Sequence, residues 1–332
     1  MTEKIDFVIL WVDGNDTKWK MEKEKYDKNK KDDSNGENRF RDWDNLKYWF
    51  RGVEKFANWV NKIFFITYGH VPEWLNVENE KIKVVKHEDF IPKEYLPTFN
   101  SNTIELNLHR IKELSEHFVL FNDDMFLINY TSPEDFFKNG YPKDECVQNV
   151  ITSYGNKEQI SHAMLNNIDI INRNFSKRIV MKKYFNKFIN WRYGLLNFRT
   201  IFLLPWYAFT GFYNQHIQIS HLKSTFYDVW DKEYDALNNS CMNKFRELTD
   251  VTHWVVRYWN ICNGKFEPRN CNFGKHFEIG EKNDRMYSWI LKQKSKSICI
   301  NDSSTGYDFD KIKNEINLSL DKILDKKSCF EK

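Results

Sequence analysis

The chain has 332 residues, of which 41% are hydrophobic and 17% are aromatic, enough to build the core of one large domain or two modest ones. Lysine and arginine total 50, and aspartate and glutamate total 47, a balance that gives no case for a nucleic-acid partner. The apolar stretch before Asp13 is too short for a secretion signal, and the longest apolar run, residues 201–212, is too short to span a bilayer. We therefore expect a soluble protein of the cytoplasm.

Strands and helices alternate in the first part of the chain. Runs of apolar and β-branched residues predict buried strands, and apolar side chains at helical spacing predict amphipathic helices. The predicted elements are a strand at residues 5–12, a helix at 44–61, strands at 62–67 and 83–85, a helix at about 101–115 and a strand at 118–128. This alternation predicts an α/β fold with a mostly parallel, Rossmann-like sheet between two helical layers.

The stretch FVLFNDDMFLI carries two adjacent carboxylates, Asp123 and Asp124, between apolar residues that predict a buried strand. Buried, unpaired carboxylates are costly, so the strand must release them at an edge of the sheet. Asp13, His70 and His87 also follow predicted strands, and the carboxyl ends of parallel strands lie at one edge, where ligands bind. We expect these groups to converge on a cation or a reacting hydroxyl. The alternative is that Asp123 and Asp124 only cap a turn.

The second half of the chain is less regular. We expect residues 141–280 to form a mainly helical subdomain that completes the site, and residues 1–140 and 281–332 to form the α/β catalytic core. The apolar run at residues 201–212 has two interpretations. It is either a buried core, which its density of aromatic residues favours, or a surface that contacts lipid or an acceptor.

The acids at the strand ends suit a hard divalent cation, Mg²⁺ with Mn²⁺ as an alternative, because such ions bind a few carboxylates together with substrate phosphates. These acids are Asp13 with Asp16, Asp123 with Asp124, and Asp302 after a short strand at 297–300. Candidates for binding phosphate through a guanidinium are Arg39, Arg41, Arg110 and Arg246. The chain has no P-loop motif and no GxGxxG turn, so any nucleotide must be held in another way.

Two histidines are candidates for a general base. His109 lies beside Arg110 within a predicted helix, where a buried structural role and a catalytic role are equally compatible with its context. His221 lies in an irregular stretch, QISHLKS, where a structural role explains less. His221 is therefore the better candidate.

Several motifs together resemble the Stealth family. They are WVDGND, NRFRDWDNLKYWF, the stretch from HEDF to FNDDMFL, KFRELTD, and IND with SCFE. In this order they are similar to the four conserved regions of that family, the hexose-1-phosphate transferases of microbial capsule synthesis. The family is similar to the catalytic subunit of the lysosomal-enzyme GlcNAc-1-phosphotransferase. The resemblance covers nearly the whole chain and is most specific in the second region.

The resemblance implies transfer of a hexose or N-acetylhexosamine 1-phosphate from a UDP-sugar to a saccharide hydroxyl, with release of UMP. The residues it implies are His221, Asp123, Asp124 and Arg246 for catalysis; Asp13, Gly14, Asp16, Arg39, Arg41, Asp42, Asn100, His109, Arg110 and Asn122 for substrate binding; and Asp302 with Asp124 for the metal. His216 is the second candidate for the general base, because family members often have a proline near the histidine that corresponds to His221, and QISHLKSTF has none.

Two other functions are compatible with the same residues. A metal-dependent UDP-sugar glycosyltransferase would release UDP instead of UMP. A non-catalytic carbohydrate-binding protein would place tryptophan and tyrosine rings against sugars. If the lipid-contact interpretation of residues 201–212 holds, we expect peripheral contact with the inner face of the plasma membrane.

Overall fold

The computed structural model describes residues 3–27, 41–153, 159–302 and 306–332. The strands are β1 Ile5–Leu10, β2 Ile63–Thr67, β3 Ile82–Lys86, β4 His117–Phe121, β5 Met125–Leu127, β6 Phe137–Lys138, β7 Tyr141–Asp144, β8 Ile219–Leu222, β9 Glu267–Pro268, β10 Gly274–Glu278 and β11 Ser297–Asn301. The helices are α1 Thr17–Tyr26, α2 Leu46–Phe56, α3 His87–Phe90, α4 Ser101–Leu106, α5 Gln159–Asn174, α6 Lys177–Phe188, α7 Asn197–Leu203, α8 Lys223–Lys232, α9 Tyr234–Met242, α10 Trp254–Cys262, α11 Asp284–Leu291 and α12 Phe309–Asp321. Within these ranges, no helix combines the length and the apolar character that crossing a membrane requires.

A five-stranded sheet in the order β3-β2-β1-β4-β8 forms the centre of the fold. The first four strands are parallel, and β8 runs antiparallel at the edge beside β4. Phe7 of β1 pairs with Ile63 of β2 and with Val119 of β4, which sets the register of the inner strands. The prediction of an α/β fold with a mostly parallel sheet is therefore confirmed.

The central strands are buried on both faces. Because successive side chains of a strand point to opposite faces, Val8 packs in the cluster that contains α8 and α10, while Phe7 and Ile9 pack in the cluster that contains α2, α11 and α12. Each fully buried side chain of this size stabilises the fold by about 1.5–3 kcal/mol. Helices therefore cover both faces of the sheet, which gives the three predicted layers.

The predicted strand at residues 118–128 is two strands in the structure. After β4 the chain turns at residues 122–124, and β5 joins a second sheet in the order β10-β11-β5. Met125 of β5 pairs with Cys299 of β11, and the Ile300 N–H donates to the Asp124 carbonyl oxygen at 2.9 Å. The two carboxylates thus lie in the connection between two sheets. A third, small sheet contains β6, β7 and β9.

The helix predicted at residues 101–115 is shorter than expected. Asn100 caps its start, because its side-chain oxygen accepts from the Asn102 N–H at 3.0 Å. Asn107 ends it: its Nδ2 donates to the Thr103 carbonyl oxygen at 2.8 Å. An asparagine that bonds the backbone in this way competes with continuation of the helix. In the structure this segment consists of α4 and a short 3-10 helix at Leu108–Arg110.

Residues 141–280 contain α5 to α10, and they also add strands to the core. β8 lies beside β4, and β10 lies beside β11. Within this segment a buried ion pair joins α10 to β7, because Arg257 Nε donates to Asp144 Oδ2 at 2.6 Å. The division into a core and a helical subdomain stays a prediction.

The apolar run at residues 201–212 is only partly buried. Leu203 and Phe209 pack inward with 7% and 2% exposure, whereas Phe202 is 72% exposed and Tyr207 is 94% exposed. The interpretation of this run as a buried core is wrong for its exposed part.

Candidate active site

The turn between β4 and β5 places Asp123 and Asp124 at the carboxyl edge of the central sheet. Cys299 of β11 donates to Asp124 Oδ2 at 3.2 Å, while Asp124 Oδ1 is buried with no hydrogen-bond partner in the described part of the chain. A buried carboxylate oxygen without a partner is costly, so a cation or a donor group is expected there. Asp123 is more accessible, and desolvation together with the charge of Asp124 raises its pKa.

His216 lies against this turn. Leu120 of β4 pairs with Ile219 of the antiparallel β8, so a residue three positions before Ile219 lies just beyond the end of β4. His216 Nε2 is 3.4 Å from Asp124 Oδ2. Desolvation lowers the pKa of His216, but the hydrogen bond to Asp124 and its charge outweigh this effect, so the net pKa is raised.

The same contacts act on Asp124. Burial raises the pKa of its carboxyl group, but the hydrogen bonds from His216 and Cys299 and the charge of His216 outweigh burial and lower it. The carboxylate therefore stays charged, and the imidazole beside it is placed to hold a proton.

Asp124, His216 and Cys299 each offer one ligand atom, and the three atoms lie within 4.8 Å of one another. Nitrogen and sulfur donors suit transition metals better than Mg²⁺, which prefers oxygen. Asp302, which follows β11, is not one of these three clustered groups. Its Oδ1 accepts from Tyr307 at 2.5 Å, and its Oδ2 is buried with no partner within the ranges described above. The three clustered donors fit a divalent cation but do not single out Mg²⁺, and Asp302 is a separate candidate.

Arg41 and Asp42 approach the same acids from the chain before α2. Desolvation raises the pKa of Asp302, and the charge of Arg41 acts against it. The charge of Asp42 contributes to the raised pKa of Asp123. The structure thus brings these two predicted residues to the site, whereas Arg39 lies outside the described residues.

A second charged group faces His216. Arg246 Nη2 donates to Ser101 Oγ, the first residue of α4, at 2.6 Å. Glu105, on the same helix, is 5% exposed. Burial raises the pKa of Glu105 to about 7, although the charges of Arg246 and His216 lower it. The site therefore contains a carboxyl group that titrates near neutral pH.

His221 lies deeper, within β8. It is fully buried, its ring centre is 5.5 Å from that of Phe118, and its Nε2 is 3.0 Å from His253 Nδ1. Burial, reinforced by the charge of His253, drives the pKa of His221 well below its ordinary value. His253 Nε2 in turn lies 3.8 Å from Glu105 Oε2. These contacts connect His221 to the site through His253, which also lies near Glu105.

A small cavity and a larger cleft lie near His216. A cavity of about 30 Å³ is lined by Leu120, Asn122, Met125, His216, Ile217, Ile219, His253 and Trp254. An open cleft of about 340 Å³ along β10 and α11 is lined by Lys275, His276, Phe277, Glu278, Lys282, Asn283, Arg285 and Met286. The two are neighbours, because the ring centres of His216 and His276 are 5.6 Å apart. The excess of basic side chains suits the larger cleft to an anionic ligand.

The turn after β1 holds Asp13, Gly14 and Asp16 at the same edge of the sheet, because β1 and β4 are parallel. The Asp13 N–H donates to His70 Nε2, after β2, at 2.7 Å. Asp16 caps α1, since its Oδ1 accepts from the Trp19 N–H at 2.7 Å. The strand ends therefore share one edge, and those of β1 and β2 are in contact there, with Asp16 occupied in capping. Their convergence on a ligand stays a prediction.

Three predicted substrate-binding residues make structural contacts. Asn100 Nδ2 donates to Asp250 Oδ2 at 2.7 Å, which ties α4 to the loop of Arg246. His109 is buried against α8, and this burial lowers its pKa to about 3. The Arg110 guanidinium lies 5.0 Å from the ring centre of Trp230.

Sequence reasoning missed four residues of this region, Glu105, His253, His276 and Cys299. The strongest signal was available for Glu105. It lies four residues after Ser101 and three before Leu108, and so places a carboxylate on the inward face of a helix, where an apolar residue is expected.

Sequence models of two Stealth regions match the chain, Stealth protein CR1, conserved region 1, at residues 3–31 and Stealth protein CR2, conserved region 2, at residues 39–144. Capsular polysaccharide phosphotransferase WcwK of Streptococcus pneumoniae is 46% identical over 332 residues, covering 99% of this chain and 98% of the relative. The chain belongs to the Stealth family. Exopolysaccharide phosphotransferase cps2G of Lactiplantibacillus plantarum is 43% identical over 330 residues, covering 99% of this chain and 96% of the relative.

Membership of the Stealth family confirms the resemblance and makes the protein a transferase. The turn at residues 122–124, which we call the acidic turn, lies within conserved region 2, and the turn after β1 lies within region 1. His216, Arg246 and Asp302 lie beyond both matched ranges. The crystal structure of galactosyltransferase LgtC in complex with donor and acceptor sugar analogues covers 95% of this chain and 94% of its own, at 9% identity and a TM-score of 0.39, too low to carry an argument.

Proposed function

We propose that this Stealth enzyme transfers a hexose or N-acetylhexosamine 1-phosphate from a UDP-sugar to a saccharide hydroxyl, in the cytoplasm, during synthesis of a capsular polysaccharide or exopolysaccharide. The observation that carries the proposal is His216 at 3.4 Å from Asp124 in the acidic turn. A carboxylate that orients an imidazole is an arrangement that accepts a proton from a hydroxyl. The names of the two relatives, a capsular and an exopolysaccharide phosphotransferase, support the same class of reaction.

In this reaction the acceptor oxygen attacks the phosphorus that carries the sugar. A bond forms between that oxygen and phosphorus, and the bond from phosphorus to the bridging oxygen of the diphosphate breaks. UMP leaves with the bridging oxygen, the hydroxyl proton passes to the base, and the product is a phosphodiester. Phosphoryl transfer of this kind depends on positioning and on neutralising charge.

We assign the base to His216 rather than to His221. His216 lines the cavity beside the acidic turn, and its side chain is 35% exposed. His221 is fully buried and its pKa is well below the ordinary value, so it would neither reach a hydroxyl nor hold the proton. A base works best when its pKa lies near the working pH, which favours the residue whose pKa is raised.

Asp124 and Asp302 are the residues that we expect to hold Mg²⁺, or Mn²⁺ as the alternative, because each has a buried carboxylate oxygen without a partner in the described residues. When bound, the cation would neutralise charge on the diphosphate. Arg246 and Arg41 would bind phosphate oxygens. Asp123 and Asn122 would lie at the reacting phosphate, and the turn after β1 would hold the donor.

The nucleotide that is released tests this function. Purified protein is incubated with a panel of UDP-sugars, Mg²⁺ and oligosaccharide acceptors; nucleotides are separated by chromatography, and the product is followed by phosphorus NMR. UMP with a new phosphodiester signal would support the proposal. UDP with no phosphorus in the product would establish a glycosyltransferase instead. Chelation with EDTA followed by Mg²⁺, Mn²⁺ or Zn²⁺ identifies the metal by which ion restores release.

Variants of the acidic turn separate catalysis from sugar binding. Asp123→Asn and Asp124→Asn are expected to abolish release of UMP while the fold, followed by circular dichroism, is retained. Asp231→Asn is the matched control, because its carboxylate is 74% exposed on α8, and it should release UMP at the normal rate. A wild-type protein that binds saccharides but releases no nucleotide from any donor would point to a binding protein.

A further inference from the structure

Residues 179–207 concentrate exposed apolar side chains. Ten of the 24 large apolar side chains exposed in the described residues lie in this short stretch. Isolated exposed apolar residues are normal, whereas a contiguous group marks a contact surface. We call its most prominent members the aromatic surface: Trp191 at 78% exposure, Leu195 at 81%, Phe198 at 54%, Phe202 at 72%, Trp206 at 54% and Tyr207 at 94%.

In the aromatic surface, Phe198 and Phe202 lie on α7. Trp191 and Leu195 lie on the 3-10 helix Trp191–Leu196 before it, and Trp206 and Tyr207 follow its end. Phe198 and Phe202 are one turn apart, and their stacked rings have centres separated by 6.4 Å. Thr200 and Leu203 point inward and are buried. Leu195 lies three residues before Phe198 and extends the outward stripe by one turn.

Hydrogen bonds hold this face outward. The Gln148 N–H donates to Thr200 Oγ1 at 3.0 Å, and Lys177 Nζ donates to the Leu203 carbonyl oxygen at 2.5 Å. Asn197 Nδ2 donates to the Asn190 carbonyl oxygen at 2.7 Å. These hydrogen bonds attach the inner side of α7 to the rest of the protein, so the rings on its outer side stay exposed to solvent.

The charge of the surrounding chain is strongly one-sided. Residues 170–227 include nine lysine and arginine residues and neither aspartate nor glutamate, although the whole chain has 50 basic and 47 acidic residues. Arg178, Lys182 and Lys183 are exposed on α6. The Arg192 guanidinium lies 4.6 Å from the ring centre of Trp191, so positive charge also borders the aromatic rings.

We propose that the aromatic surface docks the protein on an anionic phospholipid bilayer, with its rings in the interface and the cations of α6 against the headgroups. Tryptophan and tyrosine favour the depth of the headgroups, and basic residues are attracted to anionic lipid. No described helix could cross the bilayer, so the contact is peripheral. This inference does not depend on the reaction proposed above.

Charge also decides against other occupants. Acids from outside residues 170–227 pair with Arg173 and Lys187, but Arg178, Lys182 and Lys183 stay exposed. A second copy of the chain seated face to face would bring these cations of both copies together, and like charges destabilise such a contact. A neutral saccharide would gain nothing from the cations. An anionic bilayer can bind both the exposed rings of the aromatic surface and the neighbouring cations, of which Arg192 contacts Trp191.

Flotation with vesicles tests the docking. The full chain is mixed with vesicles of phosphatidylcholine that contain about one-third phosphatidylglycerol, or of phosphatidylcholine alone, at low and high salt. The apolar variant combines Phe202→Ser, Trp206→Ser and Tyr207→Ser, and its control is Leu318→Ser, which is 62% exposed on α12. The charge variant combines Arg178→Gln, Lys182→Gln and Lys183→Gln, and its control combines Lys326→Gln with Lys327→Gln.

We expect the wild type and both controls to float with the anionic vesicles at low salt. The charge variant should partition on the order of 100-fold less, at about tenfold for each one to two cations removed, and the apolar variant should stay in the soluble fraction. Failure of the wild type to float, or unchanged flotation of both surface variants, would overturn the inference. A dimer that forms with rising protein concentration and is abolished by the same variants would also overturn it, because the surface would then bind a second copy of the chain. Circular dichroism checks that each variant is folded.

Discussion

Glu105 makes the stability of the protein depend on pH in a way that one substitution can remove. Burial raises the pKa of its carboxyl group from 4.5 to about 7. The folded state therefore binds this proton more tightly than the unfolded state. The resulting stabilisation is fully present below pH 4.5 and is lost as the pH rises towards 7. The difference between these two pKa values corresponds to on the order of 3 kcal/mol of unfolding free energy.

Glu105→Gln should abolish this dependence, because the amide keeps the shape of the side chain and cannot ionise. The free energy of unfolding is measured by urea titration at pH 5 and at pH 8 in both proteins. The charges that face Glu105 belong to Arg246 and His216, with His253 at 3.8 Å, and all three remain in the variant. Between pH 5 and pH 8, the free energy of unfolding of the wild type should fall by on the order of 3 kcal/mol relative to that of the variant.

Glu281→Gln, at an exposed position, is the control and should follow the wild type at both pH values. If the difference between Glu105→Gln and the wild type were the same at pH 5 and pH 8, Glu105 would titrate at its ordinary pKa. The reasoning from burial would then be refuted.

Three further predictions concern the site and its support. Asp124→Asn should lower kcat on the order of 100-fold or more, measured as release of UMP at saturating donor; near-normal turnover would exclude Asp124 from the reaction. His216→Gln should lower kcat about 100-fold to 10,000-fold, whereas His221→Gln should mainly lower the melting temperature, and the reverse pattern would return the base to His221. Arg257→Leu leaves the buried carboxylate of Asp144 unpaired and should cost about 3–5 kcal/mol in urea unfolding; Arg257→Leu combined with Asp144→Leu should recover part of that loss.

The sheet and its acidic edge could be predicted because local pattern and fold agree there. The residues of β2 and β4 are all buried, and each strand contains a run of four apolar residues in the sequence. The carboxyl ends of parallel strands share an edge, and Asp13 and Asp123 therefore lie on the same side of the molecule. No long-range information was needed for this part of the site.

The choice between His216 and His221 could not be made in this way. The two residues are five positions apart, and only the pairing of β8 with β4 decides which one meets the acidic turn. In that pairing His221 lies opposite Phe118, near the start of β4 and away from the acidic turn at its end. Register between strands that are a hundred residues apart is set by tertiary packing, which local periodicity does not report.

The exposed half of residues 201–212 was misjudged for a related reason. Density of aromatic residues predicts burial on average, but exposure depends on which face of α7 the rest of the protein covers. The hydrogen bond from Gln148 to Thr200 Oγ1 sets that face, and it joins residues 52 positions apart.

The pairing of β5 with β11 in the second sheet has a consequence for how the protein folds. Cys299 and Asp124 are 175 residues apart in sequence, and β11 reaches β5 only after the intervening chain has been synthesised. Contacts of such long range slow folding. Until β11 docks, β5 presents an unpaired strand edge that can pair with another molecule. We therefore expect the half-made chain to be the aggregation-prone species, and catalytic competence to arise in one late step, when β11 closes the second sheet.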